Sequence, residues 1–159
     1  MKRPTAQVAL SAFRTLQKIG LKGQVLGVFQ SLVDAGLERD IRVWNAALGY
    51  VSTSRINPSS IDELIGDMQW FGPKPNAESF SIVIRFHTSA GRVSQARYYI
   101  EQAEILGLGN SELIRDSIKE TNRAATSEMI DLIPALLRSI PTQNTASQGS
   151  SNSQQKKDS

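Results

Sequence analysis

The 159-residue sequence contains no cysteine, a single histidine and few aromatic residues, which make up 6% of the chain. Without cysteine it has no disulfide, no thiol nucleophile, no zinc ribbon and no iron–sulfur site. His87 alone cannot form a histidine metal cluster, and any His-dependent catalytic triad would rest on that one residue. Apolar runs are only a few residues long, so no segment is expected to span a membrane. We therefore expect no metal, no cofactor and no membrane partner.

A phosphate-binding loop is missing as well. The stretch from Gly20 to Gly23 is too short and lacks the Gly-Lys-Ser/Thr ending that such a loop requires. Because the sequence shows no Ser–Asp partner set for His87, we expect a partly buried or surface histidine there and not a catalytic one. The sequence thus predicts that the protein is not an enzyme.

Acidic residues are absent from residues 1–30, so all the charged side chains of this segment are basic. The net charge of the whole chain is +3, too small to establish a polyanionic partner by itself. A basic, acid-free start is typical of an organelle transit peptide. The repeat described below uses these residues, so we favour the basic face of a first helix pair. The basic residues are Lys2, Arg3, Arg14, Lys18 and Lys22.

Large apolar side chains are absent from the other end of the chain. Residues 141–159 contain no Leu, Ile, Val, Phe or Tyr. Such a segment cannot bury enough apolar surface to offset the entropy lost on ordering, so a disordered tail is expected.

Self-similarity with a period of about 35 residues is the most informative feature present. Gly36, Gly72 and Gly107 are spaced at this period, and they begin the similar segments GLERD, GPKPN and GLGNS. Glycine at such a point is typical of a helix C-terminus, where φ is usually positive. The apolar positions follow the same register. The equivalent sets are Val8 with Val43, then Ala9 with Trp44 and Phe80, then Phe13 with Leu48 and Ile84.

Each repeat contains two patterns of helical periodicity, and no run alternates apolar and polar residues as a strand would. In the third repeat we predict helices from Glu78 to Ala90 and from Val93 to Leu106. In the middle repeat a helix follows Pro58, with a capping box formed by Ser60 and Glu63. The apolar stripes of the second helices are Val25, Val28, Phe29 and Leu32; Ile61, Leu64, Ile65 and Met68; and Val93, Ala96, Tyr99, Ile100 and Ala103.

One helix pair cannot bury its own apolar face, so the pairs must stack on one another. The predicted fold is all-α, a right-handed α-solenoid of stacked antiparallel helix pairs with about three repeats and a degenerate C-terminal capping pair. Pro134 should kink or split the second helix of that cap. The predicted divisions are an N-terminal extension at 1–6, repeats at 7–41, 42–77 and 78–112, a helical cap at 113–140 and the tail at 141–159.

Several positions of the repeat resemble the pentatricopeptide repeat (PPR) family. They are the aromatic-Asn pair at Trp44-Asn45, the Ala-Gly-Arg-Val turn from Ala90 to Val93, Ala96, and the Met-x-x-x-Gly-x-x-Pro-Asn segment from Met68 to Asn76. Tetratricopeptide repeats are the nearest alternative, but their period is 34 residues and their pattern differs. The resemblance implies binding of single-stranded RNA in a mitochondrion or plastid, in RNA processing, stability or translation, with possible protein partners in a ribonucleoprotein complex.

In that family one base is recognised per repeat, by a residue of the first helix and the last residue of the repeat. Carried onto this chain, the resemblance implies that Asn45 and Asn76 recognise a pyrimidine. It implies a looser, purine-type pair of Ser81 with Ser111. The first repeat would pair Leu10 with Asp40, although leucine offers no hydrogen-bonding group to a base.

The phosphate-contacting lysine of the family is matched by Lys18 alone. Arg14 and Arg85 occupy equivalent places in the first helices and are candidates to supply charge instead. The positions that usually hold a base between aliphatic side chains are Gln7, Arg42 and Glu78. Since none of these is aliphatic, a protein-interaction scaffold with the same solenoid fold stays an alternative to base-specific RNA recognition.

Two tryptophans receive different interpretations. Trp44 recurs with Ala9 and Phe80, so we predict that it packs in the core. Trp70 ends a helix, where it would cover the next repeat or offer a patch to a partner. The acids Asp62, Glu63 and Asp67 lie near the start of a predicted helix, where the helix dipole and solvent suffice to explain them.

Overall fold

The computed structural model describes residues 5–21, 24–37, 39–54 and 57–141. This part of the chain contains seven α-helices and no strand, so the predicted all-α class is confirmed. The expected tail, except Pro141, and residues 1–4 of the expected extension lie outside the described residues. The helices are α1 (Ala6–Lys18), α2 (Val25–Leu32), α3 (Ile41–Thr53), α4 (Ser59–Phe71), α5 (Ala77–Ser89), α6 (Val93–Ile105) and α7 (Glu112–Ser139), and a π-helical turn at Val33–Leu37 follows α2.

The predicted apolar stripes supply the core. Each stripe places side chains three or four residues apart, on the one face of a helix that turns away from solvent. The fully or nearly fully buried members are Val25, Phe29 and Leu32 in α2, Ile61, Leu64, Ile65 and Met68 in α4, and Ala96, Tyr99 and Ala103 in α6. Trp44 and Phe80, predicted to be equivalent, are both completely buried.

Four helices pack side by side in a row. α1 packs on α3, α3 on α5, and α5 on the first part of α7. Each of α2, α4 and α6 lies against the two helices of the row that flank it in sequence. The first helix of every predicted repeat therefore belongs to the row, and residues from different repeats meet along it.

Helix α5 carries the capping box of this structure. The Asn76 side chain accepts from the Ser79 backbone N–H, and the Ser79 hydroxyl accepts from that of Asn76. The predicted box of Ser60 and Glu63 was wrong, since α4 begins at Ser59 and has no side-chain cap. Asn57 Oδ1 instead accepts from the Ser59 backbone N–H at 3.2 Å.

The repeated glycines serve two different purposes. Gly36 and Gly107 have φ of 94° and 77°, the left-handed conformation expected at a helix C-terminus. Gly72 has a φ of −87°, so the expectation of a positive φ was wrong there. A Cβ at Gly72 would lie 2.9 Å from the Met68 Cα and 3.0 Å from the Trp44 ring. Close packing, and not backbone conformation, requires glycine at this position.

Helix α7 is one helix of 28 residues, where the sequence predicted two. The two predicted segments, 113–124 and 127–140, are joined by Ala125 and Thr126, and since alanine is the best helix former, nothing breaks the helix there. The helix also continues through Pro134. Within the described ranges, no helix has the length and apolar character needed to cross a membrane.

Candidate functional site

Asn45 and Asn76, the pair implied to recognise a base, are in contact. The Asn45 Nδ2 donates a hydrogen bond to the Asn76 Oδ1 at 3.3 Å. Asn45 lies in the first half of α3 and Asn76 is the N-cap of α5, and these residues meet because α3 packs on α5. The structure therefore brings together two side chains that are 31 positions apart in sequence.

Both ends of the Asn45 amide are engaged within the protein. Its Nδ2 also donates to Glu78 Oε2 at 2.9 Å, and its Oδ1 accepts from the Ser79 hydroxyl at 2.6 Å. Only 5% of Asn45 is exposed. Asn76 is half-buried, and its amide Nδ2 takes no part in these bonds. Asn76 is thus the member of the pair whose amide donor is not used in the contact between them.

The second implied pair is arranged differently. Ser81 is buried, and its hydroxyl lies 3.0 Å from that of Ser117 in α7. Ser111 is the N-cap of the same helix, six residues earlier. A similar contact joins the hydroxyls of Thr88 and Thr121 at 2.8 Å. Hydroxyl pairs therefore connect α5 to α7, and the sequence analysis did not find them.

In the first implied pair, Leu10 with Asp40, the Asp40 side chain bonds to residues of its own helix start. Its carboxylate caps α3 and accepts from Arg42 Nη2 at 2.8 Å and Arg42 Nε at 3.1 Å. The hydrogen bond from the Arg42 side chain holds the pKa of Asp40 below its ordinary value. Leu10 lies half-buried in α1.

Arg14 and Arg85 line equivalent grooves between neighbouring helices of the row. Arg14 lines a cavity of about 240 Å³ between α1 and α3, together with Tyr50. Arg85 lines one of about 270 Å³ between α3 and α5, together with Ser52 and Ser89. Arg14 comes from the earlier helix of its groove and Arg85 from the later one, so the two residues line opposite walls of these grooves.

The basic side chains along these grooves differ in whether an acidic side chain already pairs with them. Lys18, the last residue of α1, is exposed. Arg85 Nε lies 3.3 Å from Glu120 Oε2, which neutralises part of its charge. Arg92, which the sequence analysis did not select, lines a cavity of about 440 Å³ with Thr53 and Ser89. Thr53 and Ser89 are the positions that the resemblance makes equivalent to Lys18, and Arg92 is the basic residue beside them.

One further polar group belongs to the groove between α1 and α3. The Tyr50 hydroxyl is buried and has no hydrogen-bond partner in the described part of the chain. A phenol can donate and accept one hydrogen bond at the same time. The ring of Tyr50 lines this groove, and its hydroxyl lies beneath the surface.

His87 belongs to a buried cluster away from these side chains. Its Nε2 lies 2.8 Å from Asp62 Oδ1, which also accepts from the Tyr99 hydroxyl at 2.7 Å. The His87 and Tyr99 rings are stacked, with centroids 5.6 Å apart. Burial, and then the bond to Asp62, raise the pKa of Tyr99 above its ordinary value. The cluster joins α4, α5 and α6, with His87 completely buried and the Asp62 side chain 32% exposed.

Comparison with known proteins adds no family to this description. No protein-family model matches the chain, and no curated protein matches it. The function is therefore inferred from the residues and their geometry.

Proposed function

We propose that the protein binds single-stranded RNA along the row of helices α1, α3 and α5, as a PPR-like helical-repeat protein. The contact between Asn45 and Asn76 carries this proposal, because base recognition in such repeats needs two side chains at these positions within reach of one base. The protein would act in a mitochondrion or plastid, in RNA processing, stability or translation.

Helix packing supports the solenoid that the proposal requires. Successive first helices are neighbours in the row, and each second helix contacts the first helices that flank it in sequence. This is the pattern expected when each repeat contacts only its neighbours. A right-handed stack of three pairs accounts for these contacts, and α7 covers its last pair.

The grooves supply the sequence-independent part of the binding. Lys18, Arg14 and Arg92 are positively charged groups that can contact phosphates, and they lie on or beside the row. The Asn76 amide would donate to a base carbonyl. A stacked base contributes roughly 1–3 kcal/mol at a good site. Three sites, two of them imperfect, predict a dissociation constant between about millimolar and tens of micromolar.

Asn76→Asp should change the base preference. Aspartate keeps the N-cap of α5 but replaces the amide donor with an acceptor. We expect the ratio of affinities for cytosine-rich and uracil-rich RNA to change roughly threefold to tenfold, the effect of one hydrogen bond. Fluorescence anisotropy with short labelled RNAs measures this ratio. Ser59→Asp, in another first helical turn, is the matched control, and an equal effect of both variants would contradict base recognition at Asn76.

Arg14→Ala and Lys18→Ala should weaken binding of every RNA sequence alike. Each removes one phosphate-contacting charge, so the slope of log affinity against log salt should become shallower by about 0.7 per charge. Anisotropy at several salt concentrations measures the slope. Lys74→Ala is the control, because Lys74 lies in a hollow between the ends of α4 and α6. A slope that changes equally in the control would place the RNA elsewhere.

A protein-interaction scaffold is the second candidate. The Asn45 amide is already satisfied by Glu78 and Ser79, and 89% of Trp70 is exposed at the end of α4. Both observations favour a protein partner over base recognition. A partner captured from an organelle extract should then stay bound after ribonuclease treatment, whereas its release would support the RNA model.

A further inference from the structure

The second half of α7 extends beyond the helices that support its first half. A helix of 28 residues is about 42 Å long, and α5, with 13, is about 20 Å long. The buried residues of α7 are Ile114, Ser117 and Thr121. From residue 122 to residue 141 no side chain is buried.

This extension has a continuous apolar face. Its large apolar side chains form adjacent pairs, at 129/130, 132/133 and 136/137, that recur every three or four residues and share one side of the helix, and Ile140 follows as the C-cap. Glu128, Asp131 and Arg138 lie toward the other side. The apolar residues are between 47% and 67% exposed, and they are Met129, Ile130, Leu132, Ile133, Leu136, Leu137 and Ile140.

Such a face needs a covering surface. Seven large side chains exposed to this degree present several hundred Å² of apolar area, the order of the roughly 800 Å² per partner that specific interfaces bury. The residues that follow, 141–159, contain no large apolar side chain, so that segment cannot supply the cover. The occupant must bring an apolar face of its own.

We propose that the occupant is a second copy of this chain, whose α7 extension packs antiparallel against the first. A two-fold axis passing between Pro134 and Ala135 sets Met129 level with Ile140 of the second copy and Ile133 level with its Leu136. Leu132 is then level with Leu137 of the second copy, so six of the seven apolar residues meet an apolar residue, and Ile130 alone is level with a serine, Ser139. A two-fold interface requires this self-complementarity, because the same patch serves both partners.

The helix dipoles favour the antiparallel direction, because they oppose each other in an antiparallel pair and repel in a parallel one. Asp131 and Arg138 lie on the outer faces of such a pair, where both are exposed to solvent. This dimer does not depend on RNA binding.

Ile133→Lys tests the proposal, with Ala135→Lys as the matched control. Both substitutions add one lysine to the exposed extension, the first on its apolar face and the second on its polar face. Sedimentation velocity of the nuclease-treated full chain over a range of concentrations gives the dimer dissociation constant. We expect wild type and Ala135→Lys to dimerise alike, and Ile133→Lys to raise the dissociation constant at least about tenfold.

Three results would overturn the proposal. They are a wild-type chain that stays monomeric at every concentration, a dimer that survives Ile133→Lys, and equal loss of the dimer in both variants. Residue 133 is exposed and outside the core, so we expect Ile133→Lys to stay folded. Circular dichroism of each variant checks that the fold is kept. A monomeric wild type would assign the face to a different protein partner.

Discussion

Trp44→Ala should lower the free energy of unfolding by about 3–5 kcal/mol, as expected for deleting a large buried aromatic side chain. The Trp44 ring has no exposed surface. It packs edge-on against Phe29, with ring centroids 4.8 Å apart, and against Phe71, with centroids 5.8 Å apart. The ring thus joins α3 to the second helices on both sides of it, and its loss leaves a cavity that none of the three helices can close alone.

Trp70→Ala is the natural control. The chain has two tryptophans, and Trp70 is 89% exposed, so each variant keeps one and loses the other. Urea unfolding followed by circular dichroism should show a change below about 0.5 kcal/mol for Trp70→Ala. If Trp44→Ala does not fold, Trp44→Phe should fold with a smaller loss. Equal effects of Trp44→Ala and Trp70→Ala would contradict the packing described here.

Asp62→Ala should be the second large effect, with a loss of about 2–5 kcal/mol, because it leaves two buried groups without their partner. Asp62 Oδ1 accepts from both His87 Nε2 and the Tyr99 hydroxyl. His87 Nδ1 is also buried without a hydrogen-bond partner in the described residues. Without Asp62, neither nitrogen of the His87 ring would have a hydrogen bond within that part of the chain. The carboxylate therefore satisfies polar groups on two other helices.

Glu63→Ala is the control for this substitution. Glu63 is the next residue of α4 and is exposed, so its removal tests the loss of an acid near the start of the same helix. We expect it to change the free energy of unfolding by less than about 0.5 kcal/mol. Tyr99→Phe should cost less when Asp62 is already alanine, because the bond it removes is then absent. Additive losses would contradict the hydrogen-bonded cluster.

The helices and most of the core followed from the sequence because both depend on short-range periodicity. The stripe of Ile61, Leu64, Ile65 and Met68 is buried as predicted. The capping box of Ser60 was wrong because the motif fits more than one starting residue, and α4 begins at Ser59. The helix break expected in the C-terminal cap was wrong because the joining residues, Ala125 and Thr126, include no helix breaker, and alanine favours a continuous helix.

The candidate site was predictable only where the repeat register determines position. Asn45 and Asn76 occupy register positions, and the stacking of α3 on α5 brings them together. The Asp62–His87–Tyr99 cluster was not predictable, because bonds between residues 25 and 37 positions apart depend on side-chain rotamers and helix crossing. The bond from Asn45 to Glu78 was missed for the same reason.

The two uses of glycine have a consequence for how this sequence can diverge. Gly107 has a positive φ and open space around it, so asparagine, which tolerates that conformation, is an acceptable replacement. Gly72 lies against Met68 and Trp44, and no side chain fits between them. Relatives should therefore replace Gly107 by asparagine but keep Gly72, because its closest contacts are backbone atoms of Met68 that no substitution at Trp44 removes.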